Sequence, residues 1–441
     1  MYTIYNFLLN FAFVISFPYL LLSALLGNHG VWERLGRLPK EKVKFLSIKN
    51  VIWLHAASVG EVKALSTIIL KLKKINPDCS LIVSVVTESG KKEAEQILSA
   101  GSMGKEVEFV FHAPIDLKRF VRRTLTSFNP CALILVETEL WPNLIKEAKI
   151  RDCKVILING RISKKSFSKY LLLKGLFSET LSYVDLFCMQ SGEDAERIKK
   201  LGAESDKIKV LGNLKFDRMI TQISEIDKTM LKKRLSIPDD FRVMVGGSTR
   251  SGEEEILIRV FKRLKKDCEN LLLLLAPRHL DRMKKIEKML FYQKLDFVRR
   301  SELDRKVPLK DQRVILLDTM GELAWIYAIA DIAFVGGSMV PIGGHNLLEP
   351  ALCGVCVLFG PHVDHFKTAA DLLIQCGGGI KIKNEEELYT RVLDLLKDED
   401  KRKRMGKAAQ RAIKKQSGVS QKTAELILSQ LKSMSKSQHL T

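Results

Sequence analysis

Three carboxylates and one glycine-bracketed turn stand where this chain could do chemistry. Glu61 closes the stretch His55-Ala56-Ala57-Ser58-Val59-Gly60-Glu61, directly after an apolar run of strand length. It has two readings: a first-turn acid that complements a helix dipole, or a base kept ionised by that dipole and made more effective by burial. Glu137-Thr138-Glu139-Leu140-Trp141-Pro142-Asn143 follows another apolar run. One of its acids can cap the next helix, but two acids with an aromatic and a proline exceed what capping requires. The stretch from Gly336-Gly337-Ser338 to Gly343-Gly344-His345-Asn346-Leu347-Leu348-Glu349-Pro350 brackets a turn with paired glycines. Such a turn admits close approach of a ligand, and a helix starting near Asn346 favours an anion; Glu349, an acceptor only, suits ribose hydroxyls. A glycine-rich connection with no ligand is the alternative.

Further turns of this kind follow other strands. Gly246-Gly247-Ser248, Ala276-Pro277-Arg278-His279 and Thr319-Met320-Gly321-Glu322 put glycines, or an arginine able to grip a phosphate, at strand ends. Asn159-Gly160-Arg161-Ile162-Ser163 leads into Lys164, Lys165, Phe167, Lys169, Tyr170, leucines 171–173 and Lys174. That basic segment suits an anionic membrane interface or a solvated helix face. The histidines lack paired ligand spacing, so no metal site is expected; no GxSxG elbow and no GxxxxGK[ST] loop occurs.

The elements that must hold these residues alternate strand and helix. Apolar runs at 51–55, 81–86, 107–111, 132–136, 155–158 and 186–189 are separated by amphipathic segments, such as 62–74 with Val62, Leu65, Ile69 and Leu72 on one face. The pattern lapses between 214 and 241, then resumes at 242–245, 271–275, 314–317, 332–335 and 355–359. This predicts an α/β chain of two Rossmann-like, doubly wound domains facing across a cleft. The expected limits are a hydrophobic segment at 1–27, a first domain at 45–215, a linker at 216–240, a second domain at 241–415, and a C-terminal helix and tail at 416–441.

Composition bounds the partners. The 441 residues carry 72 Lys+Arg against 51 Asp+Glu, a formal charge of +21 that calls for an anionic partner. No RNA-binding aromatic signature or zinc-finger spacing accompanies it, which argues against nucleic acid. Eight scattered cysteines read as reduced core residues; Cys353 and Cys356 have redox spacing but no second pair. Residues 1–27 hold no charge, and Arg34, Arg37, Lys40, Lys42 and Lys44 follow. The expectation is a membrane anchor with the rest of the chain on the cytoplasmic side; a buried or interfacial helix is the alternative.

Taken together, these blocks resemble the bacterial 3-deoxy-D-manno-octulosonate (Kdo) transferases of lipopolysaccharide assembly. The resemblance rests on Ser58-Val59-Gly60-Glu61, 137–143, Gly212-Asn213-Leu214-Lys215-Phe216-Asp217, Pro277-Arg278-His279, 319–322 and 336–349, in the family's order, between about residues 51 and 367. It implies an inverting GT-B glycosyltransferase, without cofactor or metal, at the cytoplasmic face of the inner membrane. The donor would be CMP-Kdo and the acceptor an anionic lipid A precursor. By resemblance, Glu61 is the general base, and Glu137 and Lys215 stabilise the transition state. Pro277, Arg278, Met320, Gly321, Glu322, Asn346, Leu347, Leu348 and Glu349 match CMP-binding positions. Thr87-Glu88-Ser89-Gly90 lacks the proline that relatives often carry there. The competing readings are a nucleotide-sugar epimerase of similar architecture and a non-catalytic basic membrane- or nucleic-acid-binding protein.

Overall fold

The computed structural model describes residues 1–25, 30–39, 41, 43, 50–99, 106–217, 228–303 and 313–438. The chain divides into two compact units, Met1–Asp217 with Gly418–Thr441, and Arg218–Ser417. The first holds a seven-stranded parallel sheet in the order β3-β2-β1-β4-β5-β6-β7. Its strands are β1 (Val51–Ala56), β2 (Ser80–Val85), β3 (Phe109–His112), β4 (Ala132–Val136), β5 (Lys154–Gly160), β6 (Leu186–Met189) and β7 (Ile208–Val210). Both faces of the sheet are covered, so its inner strands read as unbroken apolar runs. Ile52, Leu54 and Ala56 pack on one side with Val62, Leu65, Ile69 and Leu72 of the helix Val59–Ile75. Val51 and Trp53 pack on the other with Phe111 and Phe128.

The second unit repeats the plan in the order β10-β11-β9-β8-β12-β13-β14. These are β8 (Arg242–Thr249), β9 (Leu271–Pro277), β10 (Phe297–Arg299), β11 (Val314–Leu316), β12 (Ile332–Val335), β13 (Cys356–Phe359) and β14 (Gly379–Lys381). β7, β10 and β14 were not foreseen, and all three are three-residue strands at sheet edges. An edge strand is covered less than an inner one and needs no apolar run. Each sheet has a central point where the strand order turns outward in both directions, between β1 and β4 and between β8 and β12. Ligands of open α/β sheets bind beyond the carboxyl ends of the strands at such a reversal.

Residues 1–27 do not form a spanning anchor over the part described. The segment is helical from Tyr2 to Leu25 (α1), with Pro18 inside it, and among the described residues no helix is long and apolar enough to cross a membrane. One face of α1 is committed to the first unit. Tyr2 OH donates to Pro142 O (3.0 Å), Tyr5 OH donates to Asp116 Oδ2 (2.8 Å), and Phe13 packs on Leu117 and Phe120. The opposite face leaves Phe7, Phe11, Val14, Ile15 and Leu22 exposed. Gly27, Lys40, Lys42 and Lys44 lie outside the described residues.

The helix Val419–Gln438 (α2) returns to the first unit instead of continuing the second. Val419, Ala424, Ile427 and Leu428 join the core on the Val59–Ile75 side. Asp217 fastens its start, accepting from Gly418 N (2.7 Å), Ser420 N (2.6 Å) and Ser420 Oγ (2.6 Å). The segment at 416–441 is therefore part of the first unit's core from residue 419 on, and 228–237 belongs to the second unit.

Candidate functional site

At the reversal point of the first sheet, Glu61 follows β1 and Glu137 and Glu139 follow β4. Glu61 turns back over the start of its helix. Its carboxylate accepts from Ala57 N (2.7 Å) and from Ser58 Oγ (2.9 Å), and the residue is only 8% exposed. The first-turn place foreseen as the ordinary reading is therefore confirmed, and the acid caps its helix there as well. Capping alone does not explain the neighbours. Burial pushes the Glu61 carboxyl above its usual range, Ala57 and Ser58 pull it back, and the charges of Glu139 and Glu137 push it up further. That is the direction a general base near neutral pH requires.

Glu137 is held at φ 58 and Asn159, at the end of the neighbouring strand, at φ 52. Left-handed backbone is costly for residues with a side chain and is retained where the fold over-determines it. Here it turns both side chains into one polar web. Asn159 Nδ2 donates to Glu137 Oε1 (3.5 Å), Lys215 Nζ stands 3.6 Å from the same oxygen, and Asn159 Oδ1 accepts from Leu214 N (3.1 Å). Gln190 Nε2 donates to Asn159 O (2.9 Å) and Gln190 Oε1 accepts from Asn213 Nδ2 (3.0 Å). Glu61, Glu137 and Lys215 thus share one sheet edge. Gln190 was missed; it carries no motif, only its place one residue beyond β6.

At the second reversal point the chemistry is cationic. Arg250, just past β8, donates from Nε to His345 Nε2 (3.1 Å) and faces His279 Nε2 through Nη1 (2.6 Å). A guanidinium only donates, so in these two contacts the imidazole Nε2 is the acceptor. His345 is lowered to about 4 by burial and by the charges of Arg250, Arg278, His279 and His365. Gly337, at φ +67, lets the His345 ring lie where a Cβ would come within 2.8 Å of it. Arg250 and His345 were assigned no role from the sequence; the signal for Arg250 was its position after Gly246-Gly247-Ser248-Thr249 at a strand end.

The other expected nucleotide contacts fall around this cluster unevenly. Arg278 follows Pro277, the last residue of β9, and its charge acts on both His345 and Glu349. Glu349 is part-buried, accepts from Asn346 Nδ2 (3.0 Å), and burial raises its carboxyl. Leu347 and Leu348 are buried, so their side chains pack and only their backbone can meet a ligand. The helix here is Leu348–Leu352, starting two residues later than expected because Asn346 Oδ1 caps Leu348 N (3.1 Å). Met320 is 74% exposed, and Gly321 has open space around it. Glu322 is engaged by Arg300 Nη2 (3.0 Å) and Thr319 Oγ1.

One expectation is corrected. The N–H groups of Gly337, Ser338 and Met339 do not wait for a phosphate: they donate to the buried Glu253 carboxylate at 2.7, 3.0 and 2.8 Å. An internal carboxylate fills that nest, and cationic side chains remain for an anion. Among the described residues no group of three or more His, Cys, Asp or Glu is arranged to hold a metal ion. Cys353 and Cys356 are free, and burial pushes both thiols up to about 12. In the basic segment, Phe167 and Tyr170 pack inward while Leu172 is 83% exposed.

Residues 29–218 match the family model described as 3-deoxy-D-manno-octulosonic-acid transferase (kdotransferase). A 3-deoxy-D-manno-octulosonic acid transferase of Haemophilus influenzae is 32% identical over 377 residues, 85% of this chain and 86% of the relative. A bifunctional glycosyltransferase/methyltransferase of Fusobacterium nucleatum is 39% identical over 354 residues, 80% of this chain; the chain spans about half (54%) of that relative. Among solved structures, a UDP-GlcNAc 2-epimerase of Neisseria meningitidis bound to UDP-GlcNAc shares the fold. Its TM-score is 0.58 at 14% identity, covering 86% of this chain and 99% of that one.

Proposed function

We infer that this chain, which belongs to the 3-deoxy-D-manno-octulosonic-acid (Kdo) transferase family, moves Kdo from CMP-Kdo to a tetraacylated, bis-phosphorylated lipid A precursor. The observation that carries the reading is the Glu61 carboxylate, buried at the first sheet's reversal point beside two further acids. Glu61 takes the proton of the acceptor sugar hydroxyl as that oxygen bonds to the anomeric carbon of Kdo. The bond from that carbon to the CMP phosphate oxygen breaks on the opposite face, so configuration inverts. Glu137 opposes developing oxocarbenium charge, and Lys215 neutralises the Kdo carboxylate or the departing phosphate. Arg250 and Arg278 supply fixed positive charge for the phosphate of CMP, with Glu349 as acceptor for ribose hydroxyls. CMP leaves with a single phosphate, which such groups can neutralise.

The chain works at a membrane surface in this reading. The exposed apolar face of α1, the exposed leucines 171–173 and the neighbouring lysines suit a helix lying in an anionic interface on the cytoplasmic side of the inner membrane. The epimerase reading has the fold likeness in its favour, but 14% identity supports the fold alone. Incubation with CMP-Kdo and the lipid A precursor decides: mass spectrometry should find the acceptor heavier by Kdo, with CMP released. An unchanged acceptor together with an interconverted nucleotide sugar would overturn the reading.

A further inference from the structure

Beneath Glu139 runs a chain of contacts with a fixed direction. Trp53 is fully buried, has only a donor at Nε1, and gives it to Ser84 Oγ at 2.7 Å. Ser84 Oγ also lies 2.8 Å from His55 Nδ1. With the indole on one lone pair, Ser84 Oγ has its own proton to give to Nδ1, the tautomer that places the imidazole's proton on Nε2. His55 is 0% exposed, and Nε2 has no hydrogen-bond partner. It points toward Glu139 Oε2, 3.5 Å away. Trp141 Nε1 donates to that same oxygen at 2.7 Å, and the indole ring stands edge-on to His55, centroids 5.4 Å apart.

We propose that His55 is a positioning residue for Kdo transfer: it holds Glu139 ionised and oriented at the sheet edge, so that Glu61 is the acid that exchanges the proton. This rests on the reading of Glu61 as base. Glu61 faces Ala57 N–H, Ser58 O–H, Glu139 and Glu137, the last paired with Lys215 and Asn159; Glu139 faces His55, Trp141, Tyr170 and Glu61. When like charges share a site, the last proton stays on the acid whose anion is less stabilised. Burial raises the Glu139 carboxyl, but His55 and Trp141 outweigh it and bring it below its usual range, whereas Glu61 stands above its own. Without the Nε2 donor, Glu139 competes for that proton, and the pair releases its last proton at higher pH.

The test uses the full chain, CMP-Kdo and the lipid A precursor. His55→Asn cannot reach Glu139 with a donor and should lose roughly 30-fold in kcat, with the KM for CMP-Kdo little changed and the acidic limb of the pH profile moved upward. His55→Gln, whose amide reaches to the Nε2 position, should recover most of the loss. Once Glu139 is Gln, adding His55→Asn should cost little more, because the histidine acts through that carboxylate. An unmoved acidic limb, or losses that simply multiply in the double variant, would overturn the proposal. Should His55→Asn not fold, His55→Phe keeps the ring shape without the donor and carries the same expectations. Inactive Glu61→Gln with multiplying losses sinks this inference alone; active Glu61→Gln sinks the base assignment itself.

Discussion

The two sheets present opposite charge at equivalent places. Where β1 and β4 part, the first unit gathers Glu61, Glu137 and Glu139; where β8 and β12 part, the second gathers Arg250, Arg278, His279 and His345. Both edges arise from the same parallel, centrally reversing topology, so the backbone plan does not choose the chemistry. The side chains just past the strands do. An acidic edge suits proton removal from a hydroxyl and a cationic one suits a leaving phosphate, so in the proposed reaction each unit carries a different part.

The largest effect should come from neutralising the acidic edge. Glu61→Gln should lower kcat by about 10³-fold, within the usual range for loss of a general base, while calorimetry finds CMP affinity unchanged. Weaker CMP binding in that variant would erase the division. Next, Arg250→Ala and Arg278→Ala should each weaken CMP binding about 10- to 100-fold, with turnover at saturating donor much less affected. The Arg250–His345 contact should also hold through the ordinary titration range of histidine, since burial and neighbouring charge lower His345 to about 4.

The smallest effect belongs to Asp116, in the loop that follows β3. It is 6% exposed, accepts from Tyr5 OH, Asn143 N and Leu144 N, and is raised by burial to about 6 from 3.8. The folded chain therefore holds this proton where the unfolded chain has released it. Its contribution to stability is complete below the ordinary value of 3.8 and is lost as pH rises through about 6. Melting curves across that span should fall by roughly 5 °C from this group, and Asp116→Asn should flatten that part of the profile. A profile unchanged by the substitution would remove Asp116 from the account.

Much of this was legible because parallel strands covered on both faces must be apolar throughout, and because ligand edges follow strand ends. Eleven of the fourteen strands described could be read that way, and with them the positions of Glu61, Glu137 and Arg278 just past strand ends. What stayed hidden depends on contacts distant in sequence. Glu253 filling the nest at Gly337–Met339 joins residues more than 80 apart, and Arg250 meets His345 across 95. A glycine-rich turn is the same string of letters whether its N–H groups meet a phosphate or an internal carboxylate. The hydrophobic amino terminus was legible as apolar but not as tethered, because the hydrogen bonds of Tyr2 and Tyr5 end on residues more than 100 positions away.

The return of α2 to the first unit sets the order in which the protein can be completed as it is made. Residues 1–217 are made before the second unit, yet the side of that sheet covered by Val419, Ala424, Ile427 and Leu428 stays open until those residues emerge. The second unit, made later, has all its strands in hand earlier. A nascent chain halted at Ser417 would thus carry a finished second unit behind a first unit with a bare apolar flank, a natural target for holding chaperones.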